Sequence, residues 1–443
     1  MEIPFYIQNI INTFEENGYS IFLVGGCVRD FLLKNKINDF DLTTNALPQE
    51  MHKILKGFKL IDTGIKHGTV SVICDKKTVE ITTFRSDGKY IDNRHPENVT
   101  FSKTIDKDLK RRDFTINAMA YSNKTGLVDL FDGKKDLENG IIRCVGDAEE
   151  RFSEDSLRIL RCLRFASRLG FQIEEKTSLA LKSKKELLCS LSAERVLKEL
   201  QGILVGDFAA ETLYKYREIV FELIPELKPL DGFSQNSPYH SYDVFLHTIV
   251  SLAYVPKDKT LRLTMLLHDI GKQNCYTEDE NGCGHFYNHG KIGAEIAKPI
   301  LERLKLPTKE KELILKLILH HSDVLTDEKP NIKKFLRIFG EDDFKKFLHV
   351  RYADCMAKSP ETTKSNLKYL DKIVKAYREI VEEKSCYKIS MLKANGNDVK
   401  GLGIDGEKIG KALELALDGV ISGKIENTKI GLLNYIKLNK NML

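Results

Sequence analysis

The feature that most constrains the fold is a change of periodicity near residue 150. Upstream, short apolar runs at 21–24, 39–43, 58–61, 69–74 and 78–84 have the length and composition of strands. Two helices join them, over 3–16 (Ile3, Ile7, Ile10, Ile11 and Phe14, ending at Gly18) and over 48–56. Downstream, Leu, Ile, Phe and Lys recur at helical spacing to the end of the chain. The fold class is therefore α+β, a small mixed sheet followed by helices. Pro225, Pro229, Gly232 and Pro238 punctuate the helical part, and Ser359-Pro360 interrupts it again. Four segments follow: 1–145, 146–232, 233–360 and 361–443, a reasonable division for 443 residues.

The run at 21–24 leads into Gly25-Gly26-Cys27-Val28-Arg29-Asp30, and Asp39-Phe40-Asp41 comes next. Side chains alternate along a strand, which puts Asp39 and Asp41 on one face and Phe40 on the other. Two carboxylates on one face can hold divalent ions against a triphosphate. Gly25 and Gly26 leave room for a phosphate near the backbone, the following helix start adds donors, and Arg29 can pair with phosphate oxygens. This is the chemistry of phosphoryl or nucleotidyl transfer. Glu80, in Val79-Glu80-Ile81, has two readings: a third carboxylate facing the metals, or an edge-strand acid facing water.

Two further blocks carry charge. In Lys110-Arg111-Arg112-Asp113-Phe114-Thr115-Ile116-Asn117, adjacent cations can reach phosphate or sugar. Asp113 and Asn117, four apart, are predicted one helical turn from each other and able to read ribose hydroxyls. In Glu154-Asp155-Ser156-Leu157-Arg158 and onward, arginines at 158, 161, 164 and 168 form one helical stripe, with Leu157, Leu160 and Leu163 beside it for packing. Four aligned guanidinia repel one another without an anion. Asp155 precedes Arg158 by three residues, so the two are predicted to share a face. A carboxylate acceptor beside a guanidinium donor resembles one edge of a base, and can pair with cytosine or adenine. A salt-bridged, exposed helix is the alternative.

In this order the three blocks resemble the class II tRNA nucleotidyltransferases and bacterial poly(A) polymerases, the family of the CCA-adding enzymes. The resemblance implies a polymerase-beta-type nucleotidyltransferase sheet domain at the N-terminus, then an all-helical neck, an HD-like body and a tail. It implies that Gly26 and Arg29 contact the nucleotide and that Asp39 and Asp41 hold catalytic Mg2+. Arg112 would contact the nucleotide, with Asp113 and Asn117 favouring ribose; Asp155 and Arg158 would template the base, supported by Glu154; Arg161 and Arg164 would bind phosphates. Asp129 to Arg143 resembles the hinge motif, and Ser192-Ala193-Glu194-Arg195 through Glu199-Leu200 the structural helix motif. The polar loop Ser86–Asn98, expected to be mobile, resembles the loop that switches addition from C to A. The implied activity is addition of C, C and A to tRNA 3′ ends from CTP and ATP. Within the class the alternatives are an A-adding enzyme and a poly(A) polymerase. From other classes come an HD phosphohydrolase with a nucleotide-binding head and a non-catalytic tRNA-binding module.

His247, His268-Asp269 and Asp354 form a second constellation, with the apolar run Leu263–Leu267 delivering His268-Asp269 on a helix. Imidazole and carboxylate together suit transition metals. The order resembles the HD phosphohydrolase domain, which implies His247, His268, Asp269 and Asp354 as ligands of a divalent transition metal. His289, His320 and His321 are candidates for a second ion. A secondary phosphomonoesterase or cyclic phosphodiesterase activity is implied; the alternative is a helical spacer whose histidines bond backbone groups.

With 69 basic and 64 acidic residues the net charge is +5, so nucleic-acid binding requires a local patch. Lys408, Lys411, Lys424, Lys429, Lys437 and Lys440, around the glycine-rich stretch 396–410, suit tRNA phosphates. Nine cysteines without a CxxC pair read as reduced thiols of a cytoplasmic protein. No signal-peptide-like or membrane-spanning stretch is visible, and no protein partner is inferable.

Overall fold

The computed structural model describes residues 2–62, 64–74, 77–88 and 99–443. The chain divides into two compact units, Met1–Pro225 and Glu226–Leu443. Residues 89–98, most of the loop predicted to be mobile, lie outside the described residues.

In the first unit, helix Phe5–Glu16 buries Ile7, Ile10, Ile11 and Phe14, the stripe its sequence dictates. Its strands are β1 (Ile21–Val24), β2 (Asp41–Thr44), β3 (Lys59–Ile61), β4 (Thr69–Cys74), β5 (Lys77–Thr83), β6 (Arg85–Asp87), β7 (Val99–Phe101), β8 (Met119–Ser122), β9 (Gly126–Asp129), β10 (Ile141–Ile142) and β11 (Gln172–Ile173). A seven-stranded sheet runs β3-β4-β5-β2-β1-β8-β9. Its pairs are antiparallel except β2 with β5. All four residues of β1 are buried, as befits an unbroken apolar run near the sheet centre. β2 begins at Asp41, two residues later than the sequence suggests. The reason is local: Gly25, at φ +73°, turns the chain away after Val24 and leaves Asp39 and Phe40 no strand to pair with.

Beyond this sheet and two short strand pairs, β6 with β7 and β10 with β11, the first unit is helical. Helix Leu157–Leu169 packs on helix Ala193–Leu204. Leu157, Leu160 and Leu163 are buried, as predicted. Gly202 permits the close crossing, since a Cβ there would stand 2.5 Å from Arg164 Cδ.

The second unit is built from helices, among them Val244–Leu252, Lys259–Leu267, His289–Arg303, Thr308–His320 and Lys329–Met356. A two-stranded hairpin, Tyr276–Glu278 with Gly284–Phe286, interrupts them. Ser359 and Pro360 open helix Pro360–Glu382, proline occupying a first-turn position where no hydrogen-bonding N–H is needed. The last helices, Gly396–Lys400, Lys408–Ile421 and Lys429–Leu438, enclose their own core around Val399, Ala416, Leu417, Leu432 and Ile436. Lys408, Lys411, Lys424 and Lys437 are exposed; Lys429 pairs with Asp398 at 2.6 Å, and Lys440 donates to the Leu402 carbonyl at 3.1 Å. All nine cysteines are free. No helix among the described residues is long and apolar enough to cross a membrane.

Candidate active site and metal centre

The register of β2 against β5 sets Asp41 directly opposite Glu80. Paired residues of neighbouring strands carry their side chains on one face, so Glu80 flanks Asp41. β5 lies between β4 and β2, which removes the edge-strand reading of Glu80. The Asp41 carboxyl is pushed above its usual range, first by desolvation and then by the charges of Glu80 and Asp39; Arg112 opposes this. Phe40 is buried between the two aspartates in sequence, although only Asp41 belongs to the strand. Three carboxylates in electrostatic reach of one another form a set that a hard divalent cation would complete.

Gly25 serves two purposes here. Its positive φ of +73° turns the chain into helix Gly26–Leu32, and a Cβ there would stand 3.0 Å from Arg112 Nη1. Arg112 Nη2 bonds Asp108 Oδ2 at 3.1 Å, while Arg111 grips Asp108 Oδ1 at 2.7 and 3.0 Å. Arg112 Nε is buried without a partner. Asp108, fully buried, was not singled out in the sequence; its signal was an acid three and four residues before two arginines.

Arg29 does not face open solvent. Its guanidinium bonds Asp30 Oδ1 at 2.8 and 2.9 Å and Asn117 Oδ1 at 2.7 Å. Asn117 donates to Asp113 Oδ1 at 3.2 Å, and Arg161 clasps Asp113 Oδ2 at 2.6 and 2.8 Å. The expected helical turn from Asp113 to Asn117 is absent: Phe114 is extended and only Thr115–Asn117 curls, as a 3-10 turn. Both side chains are buried and turned to arginines rather than presented to a sugar. Burial raises the Asp113 pKa, but the Arg161 charge and the hydrogen bonds from Arg161, Asn117 and the Phe114 N–H outweigh it and bring it to about 2. Phe165 closes the network: the guanidinia of Arg29, Arg161 and Arg164 lie 5.2, 5.6 and 4.7 Å from its ring centroid.

The arginine stripe is real, but its anions are protein carboxylates. Arg158 pairs with Glu154 at 2.7 Å, Arg161 with Asp113 at 2.6 Å and Arg164 with Glu199 at 2.6 Å; Arg168 is exposed. Asp155 does not share a helical face with Arg158. It is an extended residue between helices Ala148–Glu154 and Leu157–Leu169, and its carboxylate receives Arg195 Nη2 at 3.1 Å. Arg158 also donates to the carbonyls of Arg151 and Arg111, and its side chain is only 8% exposed against 22% for Asp155. The motif Ser192–Leu200 thus acts through two side chains: Arg195 holds Asp155, and Glu199 holds Arg164.

In the second unit, His268 caps helix Lys259–Leu267 and Asp269 follows in a turn. His268, His289 and His321 each turn Nδ1 to the carbonyl three residues earlier, at 2.8, 2.6 and 2.7 Å. An Nδ1–H donated outward leaves Nε2 as an inward lone pair. The Nε2 atoms of His289 and His321 face each other at 3.1 Å, with Asp269 Oδ1 at 3.6 and 3.4 Å. His247 Nε2 lies 3.1 Å from Asp354 Oδ1 and 3.4 Å from Asp269 Oδ2. His268 Nε2 and both Asp269 oxygens are buried with no hydrogen bond of good geometry, although Lys272 Nζ stands 2.7 Å from Oδ2. Burial, then the His321 charge, lowers His289 to about 4, so its imidazole is neutral at neutral pH. Converging lone pairs and orphaned carboxylate oxygens fit a cation. His247, His268, Asp269 and Asp354 form one donor set; Asp269, His289 and His321 form another. His320 points elsewhere, onto Asp323 at 2.7 Å. His240, absent from the predicted set, packs against His247 with Nδ1 buried and unpartnered.

Sheet, glycine turn and clustered carboxylates define a nucleotidyltransferase head. Comparison with known proteins agrees. A family model described as the poly A polymerase head domain matches residues 21–143, one described as a probable RNA and SrmB-binding site of polymerase A matches 170–229, and the HD domain matches 239–362. The chain is 40% identical to a CCA-adding enzyme of Lactobacillus helveticus over 275 residues, 61% of this chain and 68% of that protein. It is 45% identical to a CCA-adding enzyme of Geobacillus kaustophilus over 48% of this chain and 52% of that protein. The alignments thus span about half to two thirds of the curated relatives' length. The crystal structure of the Bacillus stearothermophilus CCA-adding enzyme in complex with CTP superposes with a TM-score of 0.72 at 28% identity, covering 100% of this chain and 99% of that one. The chain belongs to the family of CCA-adding enzymes.

Proposed function

We propose that this chain adds C, C and A to the 3′ end of tRNA from CTP and ATP, without a nucleic-acid template and with release of pyrophosphate. The observation that carries this reading is the register setting Glu80 beside Asp41, with Asp39 and Arg112 in electrostatic reach. Asp39 and Asp41 would hold Mg2+, which supplies activation of the 3′-hydroxyl and charge neutralisation of the triphosphate. Glu80, beside Asp41, would face the metals or help position the attacking 3′-hydroxyl. Gly25 and Gly26 open the backbone to the triphosphate, and the unpartnered Arg112 Nε is a donor in waiting. Asp155 offers the base an acceptor; Arg158 offers a donor once it exchanges one of its carbonyl partners for the base. The hydroxyl attacks the α-phosphorus, and no covalent enzyme intermediate is needed. Exposed tail lysines suit tRNA phosphates, and nine free cysteines suit the reducing cytoplasm.

The test offers tRNA transcripts ending before CCA, after C and after CC, with each nucleoside triphosphate singly, and sequences the products. Ordered C, C, A addition is expected, and Asp41→Ala abolishes it. Addition of A alone, or a long A tail, overturns the assignment in favour of an A-adding enzyme or a poly(A) polymerase.

The orphaned Asp269 oxygens favour a second activity, a metal-dependent phosphohydrolase in the HD-like body. His247, His268, Asp269 and Asp354 would hold a divalent transition metal, which supplies Lewis-acid chemistry toward a phosphate ester. A cavity of about 360 Å³ opens beside them, with Lys272 and Lys358 on its wall. The two lysines pair with Asp269 and Asp354 at 2.7 and 2.9 Å, and with Arg351 they would meet the charge of an anionic ester once a cation takes up those carboxylates. Hydrolysis of p-nitrophenyl phosphate or a cyclic phosphodiester, lost in Asp269→Asn, tests this.

A further inference from the structure

The hairpin in the second unit carries three metal-ligating side chains that belong to neither site described above. Its turn runs Asp279-Glu280-Asn281-Gly282-Cys283, and the strands pair Thr277 with His285 and Glu278 with Gly284. Continuing that register sets Asp279 opposite Cys283, and the Asp279 N–H indeed donates to the Cys283 carbonyl at 3.0 Å. Cross-strand partners share a face, and so do residues two apart. Asp279, Cys283 and His285 therefore stand together on one side of the hairpin.

Their donor atoms all lie within 4.8 Å of one another. His285 Nε2 and Asp279 Oδ2 are 3.0 Å apart. Two ligands of one tetrahedral ion with bonds of about 2.0–2.1 Å stand about 3.3 Å apart, so an ion replaces the shared proton with a shift of a few tenths of an ångström. The turn is preorganised: Asp279 Oδ1 accepts the N–H groups of Asn281 and Cys283, both at 2.9 Å, which aims Oδ2 at the imidazole. Gly282, at φ +75°, closes the loop in a conformation that side chains disfavour. The ring of His285 is stacked on Tyr287, centroids 5.5 Å apart and planes at 12°, which fixes its orientation. Asp279 and His285 are 38% and 35% exposed, so an ion can enter.

We propose that this hairpin binds one divalent transition-metal ion through Asp279, Cys283 and His285. Thiolate, imidazole and carboxylate together select zinc-like ions over magnesium, whose preference is for oxygen alone. Three protein ligands leave a fourth position open. His285 and Tyr287 also line the cavity beside Asp269, so the ion would stiffen one wall of that cavity.

Cobalt distinguishes this site from the others. The donors at Asp39 and Asp41, and those around Asp269, are all oxygen or nitrogen, so sulfur-to-cobalt charge transfer in the near ultraviolet reports thiolate ligation. The full-length protein, stripped by chelator and kept reduced, is titrated with Co2+. A saturable near-ultraviolet band is expected alongside the visible bands. Cys283→Ser abolishes the near-ultraviolet band while the visible bands and CTP incorporation persist. His285→Ala raises the half-saturating Co2+ for that band by at least about tenfold. Cys189→Ser, at an exposed cysteine elsewhere, leaves the band unchanged. Absence of the band in the wild-type protein, its survival in Cys283→Ser, or indifference to His285→Ala overturns the proposal.

Discussion

Asp155 is held by Arg195, 40 residues away in sequence, and not by Arg158, three residues along: Arg195 Nη2 lies 3.1 Å from Asp155 Oδ1, whereas Arg158 grips Glu154 at 2.7 Å. The acceptor and donor proposed to read the base are thus positioned by separate partners. Arg195 Nη1 is buried and unpartnered, so the clamp on Asp155 is a single-armed one.

Base selection should therefore depend on Arg195 as well as on Asp155 and Arg158. Arg195→Ala removes one charge-assisted hydrogen bond, worth about 1.5–3 kcal/mol. We expect roughly a tenfold rise in UTP and GTP incorporation relative to CTP and ATP, an effect of about 1.4 kcal/mol on discrimination. Single-nucleotide incorporation into tRNA transcripts measures this; unchanged selectivity in both Arg195→Ala and Asp155→Ala would sink the template reading.

Glu80 should show opposite effects on activity and stability. Its carboxylate repels Asp41 across the β2–β5 pair. Glu80→Gln relieves that repulsion, so the melting temperature should hold or rise by a degree or two, while the rate of CTP incorporation falls at least about tenfold. Full activity in Glu80→Gln would return this residue to a purely structural role.

Asp113 makes part of the stability of the first unit pH-dependent. Its folded pKa, about 2, lies below the ordinary aspartate value. The depressed carboxylate stabilises the fold fully above about pH 4, and this contribution, about 2 kcal/mol, is lost as pH falls through about 2. The gap in melting temperature between the wild type and Asp113→Asn should be widest at pH 5 and above, and close as the pH is taken toward 2. A gap that does not narrow would mean Asp113 is not the titrating group.

Metal should stabilise the second unit through Asp269. The buried Asp269 carboxylate, paired only with the Lys272 ammonium at 2.7 Å and with surrounding imidazoles at 3.2 Å or more, and Nε2 of His268 gain a ligand bond when a cation binds. A divalent transition metal at about 100 times its dissociation constant adds about 2.7 kcal/mol to the species that binds it. In a Cys283→Ser background, which removes the hairpin thiolate, thermal melts with Mn2+ or Zn2+ should show an upward shift that survives Asp41→Ala and disappears in Asp269→Asn. Loss of the shift in Asp41→Ala instead would place the effect in the head.

Much of the candidate site was legible before folding because its chemistry is local in sequence. The Gly25-Gly26 turn and the His268-Asp269 pair are set by residue type at short spacing, which survives into structure as turn or helix end, whereas of the Asp39 and Asp41 pair only Asp41 lies in the strand. Two expectations failed for one reason. Asp113 and Asn117 were expected one helical turn apart, and Asp155 to share a face with Arg158, but both inferences assumed helix where the chain is extended at Phe114 and at Asp155. Spacing rules hold only within a regular element, and the boundaries of these elements depend on tertiary partners.

By itself, the sequence determined the succession from sheet to helices, the core stripes, and which residues carry charge or metal-binding capacity, because periodicity and residue chemistry are local properties. Only the tertiary structure decided which charges meet. Glu80 gained its place beside Asp41 from a parallel strand pair, Arg164 its anion from Glu199, and Asp155 its clamp from Arg195. These pairings join residues 35 to 40 positions apart. For Glu199, which is buried, the pairing is obligatory, since a charge removed from water must find its partner wherever the fold has carried it.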